Sequence, residues 1–405
     1  MDALTRVIEA VRERHDSAPS VVIRSPGRVN LIGEHTDYSL LPVMPFAIDR
    51  GVYVAVCEGP AGIEVDSLTH PDPVTIEPGG DRSELAGWHR YFAAAVDVVG
   101  FVGGARVLID ADLPATGGLS SSSAFTVGVL MALGAFAGDP PQREELPELA
   151  LVAERSIGVE SGAMDQTVIS LAIEGHALRI DFDPFATRHV PISGDLGIVA
   201  AYSGRAAPKG GDANRSYNSR VVACRAAALL LAAQEEVDPG SPPVLSKVRD
   251  SELVETLPIQ ASAGSVAAHL GVDVGRMVRL TATEFDAEAE LPIRSVAAHV
   301  LSEAQRVDEA EDALRSEDYE ELGRLLDASH ESLGHFGATS PALDRLTGAM
   351  REAGAYGARL TGAGFGGYAI GICPLDRIDA LIEAAEQATG GPAFRAQPSA
   401  GVSGV

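Results

Sequence analysis

Between Gly27 and Tyr38 the chain places Arg28, Glu34, His35, Asp37 and Tyr38 in one short stretch. Carboxylate and imidazole side chains have few rotamers, so they fix several donors and acceptors at low entropic cost. A polyhydroxylated ring needs that kind of surround, although a solvated polar loop uses the same residue types. A second segment, Pro114 to Ala124, carries Gly117, Gly118, Leu119, Ser120, Ser121, Ser122 and Ser123 and leads into an apolar run. Its glycines let backbone approach an anion closely. The first N–H groups of a helix lack intrahelical partners, and the helix dipole adds about half a positive charge there. Serine hydroxyls add ligands for phosphate oxygens or a metal. The same run is also compatible with a flexible linker or with serines that only cap the helix.

A third segment, Arg359 to Gly367, satisfies G-x-G-x-x-G from Gly362 onward. Tyr368 to Ile372 behind it reads as a strand, where a dinucleotide fingerprint requires a helix. A hairpin whose tight turn brings backbone near a ligand fits better. No G-K-[ST] occurs, nor H-R-D or D-F-G, which removes Walker-type nucleotidases and protein kinases. His330 and His335 are five apart, one more than a metalloprotease helix needs to put both on one face.

These segments need a scaffold, and the pattern around them predicts one. An amphipathic helix opens the chain, Ser20 to Ile23 reads as a strand entering a Pro26-Gly27 turn, and Gly51 to Cys57 alternates as another strand. Trp88 to Val99 reads as helix, Ala105 to Ile109 as strand, and the Gly-Ser stretch opens a buried helix from Ala124. Glu145 to Ser156 is helical, and strands resume at Ala177 to Phe182 and Gly197 to Ser203. Asp183-Pro184 breaks the pattern, which puts a boundary near residue 187 and gives domains 1–187 and 188–405. Beyond it, Ser216 to Ala233 and Val296 to Arg315 read as helices, the latter with Glu and Arg on its solvent face. Val237 to Leu280 reads as a looser excursion with short helices. The sequence thus predicts two α+β domains.

Composition bounds the partners. The 405 residues are 46% hydrophobic and only 5% aromatic, enough for a substantial aliphatic core. A formal charge of −26 repels nucleic acid and anionic membranes, so neither is expected as a partner. Cys57, Cys224 and Cys373 are widely spaced with no C-x-x-C pair, which points to the cytoplasm. The N-terminus lacks the apolar segment of a secretory signal, and the longest apolar run, Ala124 to Gly138, falls short of the ~20 residues of a membrane span.

Gly27 to Tyr38 resembles the signature of galactokinases, within the small-molecule kinases that also include homoserine, mevalonate and phosphomevalonate kinases. Pro114 to Ala124 resembles that family's phosphate-binding motif and Arg359 to Gly367 its third motif, in the expected order. The resemblance implies an N-terminal domain like ribosomal protein S5 domain 2 and a ferredoxin-like C-terminal domain, with the active site in the cleft between them. It implies transfer of the γ-phosphoryl group of ATP to the anomeric hydroxyl of galactose, with Mg²⁺, in a monomer. Asp165 would face that hydroxyl, with Arg28 beside it. A carboxylate there can accept the hydroxyl proton while a guanidinium steadies transition-state charge. Glu34, His35, Asp37, Gly162 and Tyr217 would contact the sugar. Residues 117–123 would hold phosphate, Ser122 and Glu154 would hold the metal with Ser121 as rival ligand, and Trp88 and Tyr91 would border the adenine.

The chain departs from the bacterial pattern at Val159 to Gly162, at Leu333 to Thr339 and after Tyr38. These departures bear on which sugar is used. N-acetylgalactosamine or another pyranose is the alternative substrate. A non-catalytic sugar sensor is the remaining reading, and it would be expected to lose part of the serine loop or the Asp165 and Arg28 pair.

Overall fold

The computed structural model describes residues 1–114, 117–159, 162–206, 211–248, 250–279 and 285–405, with side chains from 216 onward in the helix that begins at Gly211. Helix α1 (Ala3–His15) is capped by Asp2 and lays Val7 and Val11 on the first sheet. Strands β1 (Val21–Ile32) and β2 (Met44–Glu58) form its long antiparallel pair. Strands β3 (Ile63–Ser67), β4 (Val74–Ile76) and β5 (Ala105–Ala111) extend it, β3 and β5 running parallel. The expected turn at Pro26-Gly27 is not there. Strand β1 continues through it, Pro26 pairs with Gly51, and the register shifts between Pro26 and Arg28. Proline, lacking an N–H, is tolerated at such an irregularity. Gly27 is required by packing, since a Cβ would lie 2.9 Å from the Leu119 carbonyl.

Helix α2 (Trp88–Val99) matches the expected span, while α3 (Ser121–Ala137) begins three residues before Ala124, taking in three of the four serines. Apolar on nearly every side, α3 lies on β1 and β2 under α2, α4 (Leu146–Ser156) and α5 (Met164–Leu171). Strands β6 (His176–Phe182) and β7 (Phe185–Pro191) form a hairpin whose turn is Asp183-Pro184. Thr187 lies within β7, opposite Ile180.

Next come β8 (Leu196–Tyr202), α6 (Gly211–Glu235), β9 (Ala261–Ser262), α7 (Ala263–Leu270), α8 (Gly275–Val278) and β10 (Glu290–Leu291). Three helices follow: α9 (Ile293–Arg315), α10 (Tyr319–Phe336) and α11 (Pro341–Glu352). The chain then forms β11 (Gly357–Thr361), β12 (Tyr368–Pro374), α12 (Ile378–Thr389), β13 (Ala393–Arg395) and β14 (Ser403–Gly404). The second sheet has the order β11-β12-β8-β13, all antiparallel, and β11-β12 is the hairpin expected at the glycine loop. Strand β14 returns to pair with β1. One apolar cluster runs from Leu31 and Phe46 of the first sheet to Ile198 and Ile370 of the second and Leu314 of α9. Helix α9 corrects a second expectation: Glu303 and Glu311 are buried, not on its solvent face.

Candidate active site

The register shift in β1 occurs at Arg28, which is 5% exposed. Its Nε donates to Asp165 Oδ1 at 2.7 Å and its Nη2 to Asp165 Oδ2 at 3.1 Å, a fork-on-carboxylate pair. Its Nη1 donates to the Gly118 carbonyl. Asp165 stands in the first turn of α5, and its Oδ2 also accepts from the Ser120 hydroxyl. One carboxylate is therefore held from the first sheet and from the serine loop at once.

Arg28, Glu34, His35, Asp37, Gly162, Asp165 and Tyr217 all line one pocket of about 210 Å³, joined by Gly33, Met164, Gly362 and Ala363. Asp37 opens a short 3-10 turn and accepts from Tyr38 N at 2.9 Å. Burial, reinforced by the charge of Asp165, pushes the Asp37 carboxyl up to about 6. A Cβ at Gly162 would overlap Asp37 Oδ2, so glycine is needed for the two segments to meet. Glu34 Oε1 accepts from Gly362 N at 2.7 Å, which commits one of its oxygens to the fold, and burial raises its pKa. Both nitrogens of His35 are engaged: Nε2 with the Ala363 carbonyl at 3.1 Å and Nδ1 with the Tyr38 hydroxyl at 3.2 Å. A carbonyl only accepts, so Nε2 carries the proton. Burial brings the His35 pKa down to about 3, which keeps the ring neutral. Its ring and backbone are what it can present to a ligand. Tyr217 packs against His35 and Tyr38 at 5.8 and 5.9 Å between ring centroids.

A second cavity, about 580 Å³, is lined by Trp88, Tyr91, Ser121, Ser122 and Phe125, together with Ser67, Thr69 and His70. The four serines therefore point three ways. Ser120 reaches Asp165, Ser121 and Ser122 face the large cavity, and Ser123 donates to Glu154 Oε1 at 3.0 Å. Their divergence follows from helical geometry, about 100° per residue from Ser121 on, with Ser120 outside the helix at φ +59°. Glu154 is 2% exposed, and its Oε2 accepts from Gln166 Nε2 at 2.7 Å. Leu119 turns its side chain into the core, so only its backbone can meet a phosphate. Gly117 and Gly118 sit against the C-terminal glycine loop. Tyr368 N donates to the Gly117 carbonyl at 3.1 Å, and a Cβ on Gly362 would come within 2.8 Å of the Gly118 carbonyl.

Sequence reasoning missed the layer behind the pocket. Arg359, fully buried, donates to the Leu31 carbonyl at 2.9 Å and places Nη2 3.6 Å from Glu34 and 3.9 Å from Glu303. Arg359 belongs to the third motif, and an arginine inside an apolar strand was the one available signal. His330 pins β11 through Leu360 N and faces Asp344, and among the described residues no acidic, His or Cys cluster could hold a metal by itself.

The chain is similar to known proteins along most of its length. A galactokinase galactose-binding signature matches residues 11–58, a GHMP kinase N-terminal domain residues 88–172 and a GHMP kinase C-terminal domain residues 310–390. The galactokinase of Roseiflexus sp. (strain RS-1) is 33% identical over 94% of this chain and 92% of its own. That of Dictyostelium discoideum is 29% identical over 90% and 83%. The crystal structure of Lactococcus lactis galactokinase complexed with galactose superposes with a TM-score of 0.79 at 25% identity, covering 99% of this chain and 100% of that one. A mevalonate kinase shares the fold at a TM-score of 0.62 and 17% identity.

Proposed function

The chain belongs to the galactokinase family of ATP-dependent sugar kinases, and from that premise we propose that the Arg28 and Asp165 pocket carries out its phosphoryl transfer. The reaction moves the γ-phosphoryl group of ATP to the anomeric hydroxyl of galactose, giving galactose 1-phosphate and ADP. The observation that carries the assignment is Asp165, which borders the small pocket while accepting from Ser120 of the loop that lines the large one. A sugar in the first and a nucleotide in the second would meet at this carboxylate.

Asp165 accepts a hydrogen bond from the anomeric hydroxyl and aims its oxygen at the γ-phosphorus. As that O–P bond forms and the bond to the β-phosphate bridging oxygen breaks, the hydroxyl proton passes toward Asp165. Arg28 fixes both carboxylate oxygens, so the base does not rotate out of line, and its fixed positive charge favours the transferring group. Asp37, Glu34 and Tyr217 hold the ring hydroxyls, and Gly162 closes the pocket with backbone. Trp88 and Tyr91 flank the adenine, and the N-terminus of α3 with Gly117 and Gly118 receives the phosphates.

The donor chemistry of Ser122 and Glu154 fits Mg²⁺, since hydroxyl and carboxylate oxygens are the hard ligands it takes. These two would hold it, Ser122 opening on the nucleotide cavity and Glu154 behind it. Bound there, it would neutralise charge on the β- and γ-phosphates.

We read the chain further as two domains joined near residue 187, the first like ribosomal protein S5 domain 2 and the second ferredoxin-like. The separate sheets β14-β1-β2-β5-β3-β4 and β11-β12-β8-β13 support this. Three free, buried thiols support a cytoplasmic protein, and the reading includes a monomer. Among the described residues no helix is long and apolar enough to cross a membrane. The direct test is ADP release with galactose, glucose and N-acetylgalactosamine, with Asp165→Asn as control. Absence of galactose-dependent release would refute the reading.

A further inference from the structure

The loop that carries the sugar-facing residues is held by a helix that lies outside the pocket. On α9, His299 and Glu303 are four residues apart and so share a face. His299 Nε2 lies 3.1 Å from the Glu34 carbonyl. Glu303 Oε1 accepts from Gly33 N at 3.0 Å and from Glu34 N at 3.4 Å. The peptide groups on both sides of Glu34 are therefore gripped from one helix face.

The backbone they grip is not of a kind that holds itself. Gly33 has φ +97° and His35 φ +62°, so a left-handed residue stands on each side of Glu34. For His35 this conformation persists only where surroundings over-determine it. Glu303 is completed on its other sides by the Ser329 hydroxyl at 2.6 Å and Arg306 Nε at 2.7 Å, with Arg359 Nη2 at 3.9 Å. Burial works to protonate it, yet His299, Arg359 and Arg306 hold the carboxyl down at about 2. An ionised group with no exposed surface is costly to keep, and a packed apolar side chain would serve stability as well. What an apolar side chain could not do is accept two backbone N–H groups.

We propose that Glu303, with His299 one turn before it, is a positioning residue that sets the Gly33–Asp37 turn and so places Glu34, His35 and Asp37 in the sugar pocket. The proposal rests on the sugar-kinase reading of that pocket. It assigns Glu303 no contact with substrate. Arg359 completes the arrangement by standing between the carboxylates of Glu34 and Glu303, so the side chain of Glu34 and the backbone behind it are registered by the same group.

Steady-state kinetics with galactose and ATP varied separately test it. Glu303→Ala should raise the KM for galactose about tenfold or more and leave the KM for ATP within about twofold, the loss of charged hydrogen bonds being felt at one ligand only. Glu303→Gln, which keeps an acceptor oxygen, should recover most of the loss. Glu311→Ala, on the same helix but paired with Arg179, Arg188 and Arg315, is the control for mere destabilisation and should leave both KM values in place. If Glu303→Ala does not fold, Ser329→Ala removes one of its donors more gently and should raise the galactose KM about threefold. Hydrogen exchange on the unliganded variants supplies a readout independent of turnover. Amides 33–37 should exchange about tenfold faster while those of Val21–Asn30 stay unchanged. Both KM values rising together, or exchange rising evenly across β1, would overturn the assignment. Should the unaltered protein show no galactose-dependent ADP release, the functional reading fails, and the exchange pattern still decides whether Glu303 holds the turn.

Discussion

Arg28 takes hold of Asp165 with two nitrogens, at 2.7 and 3.1 Å, across 137 positions of chain. A guanidinium in this two-point contact fixes the plane of the carboxylate as well as its place, which a point charge would not do. Arg28→Lys should therefore lower kcat about 10- to 100-fold, with a smaller change in the galactose KM. Asp165→Asn should lower kcat about 10³-fold with galactose binding largely kept, as calorimetry on the folded variant would show. Equal losses in kcat for two conservative Asp165 variants that also abolish sugar binding would contradict the division of roles.

With Asp37 as the proposed sugar ligand, sugar recognition should depend on pH. Its carboxyl rises from an ordinary value of 3.8 to about 6, through burial first and then the charge of Asp165. The folded protein thus binds this proton more tightly than the unfolded chain, and the group lowers stability progressively as pH climbs from about 4 to 6. Asp37→Asn should be more stable than the parent at pH 7.5, by up to about 3 kcal/mol, and not at pH 4. In the parent, galactose affinity should fall as pH drops through about 6, where the acceptor is protonated. Thermal melts and sugar titrations at several pH values measure both.

Gly162→Ala would force its new methyl group into Asp37 Oδ2. Asp37 must swing away or the Gly162 segment must lift, and either outcome spoils the pocket. An increase of at least about tenfold in the galactose KM is expected, with the ATP KM little changed. A variant with unaltered sugar kinetics would show that this close approach is dispensable.

Ser121 and Ser122 both face the larger cavity, proposed above to take the nucleotide, while Ser123 is turned toward Glu154. Ser122→Ala should raise the Mg²⁺ concentration needed for half-maximal rate about tenfold, and Ser121→Ala should do so much less. The reverse ranking would make Ser121 the ligand. Glu154→Gln should act in the same direction as Ser122→Ala.

Local pattern was enough for α2, whose bounds Trp88 and Val99 follow from helical periodicity, and for the β11-β12 hairpin, where a strand behind the glycines ruled out a dinucleotide fold. It failed at Pro26-Gly27, because a proline-glycine pair reads as a turn while here the partner strand absorbs it in a register shift. The division of labour among Ser120 to Ser123 was illegible for a related reason: identical residues differ only through the helix start, and periodicity placed that start three residues late. Glu303 and His299 were lost in an amphipathic pattern that assigns every charge to solvent. Their partners, Gly33 and Glu34, lie some 265–270 positions away. No local rule connects such groups, whereas the three motifs, each continuous in sequence, could be matched one by one.

The contact between the two glycine loops also has a bearing on biosynthesis. Gly117 and Gly118 are backed by Tyr368 and Gly362, which leave the ribosome about 250 residues after them. A growing chain that already holds β1 to β5 and the serine loop still lacks the backing for Gly117 and Gly118 until the β11-β12 hairpin has emerged. Fragments released by premature termination before that hairpin would lack this backing of the serine loop.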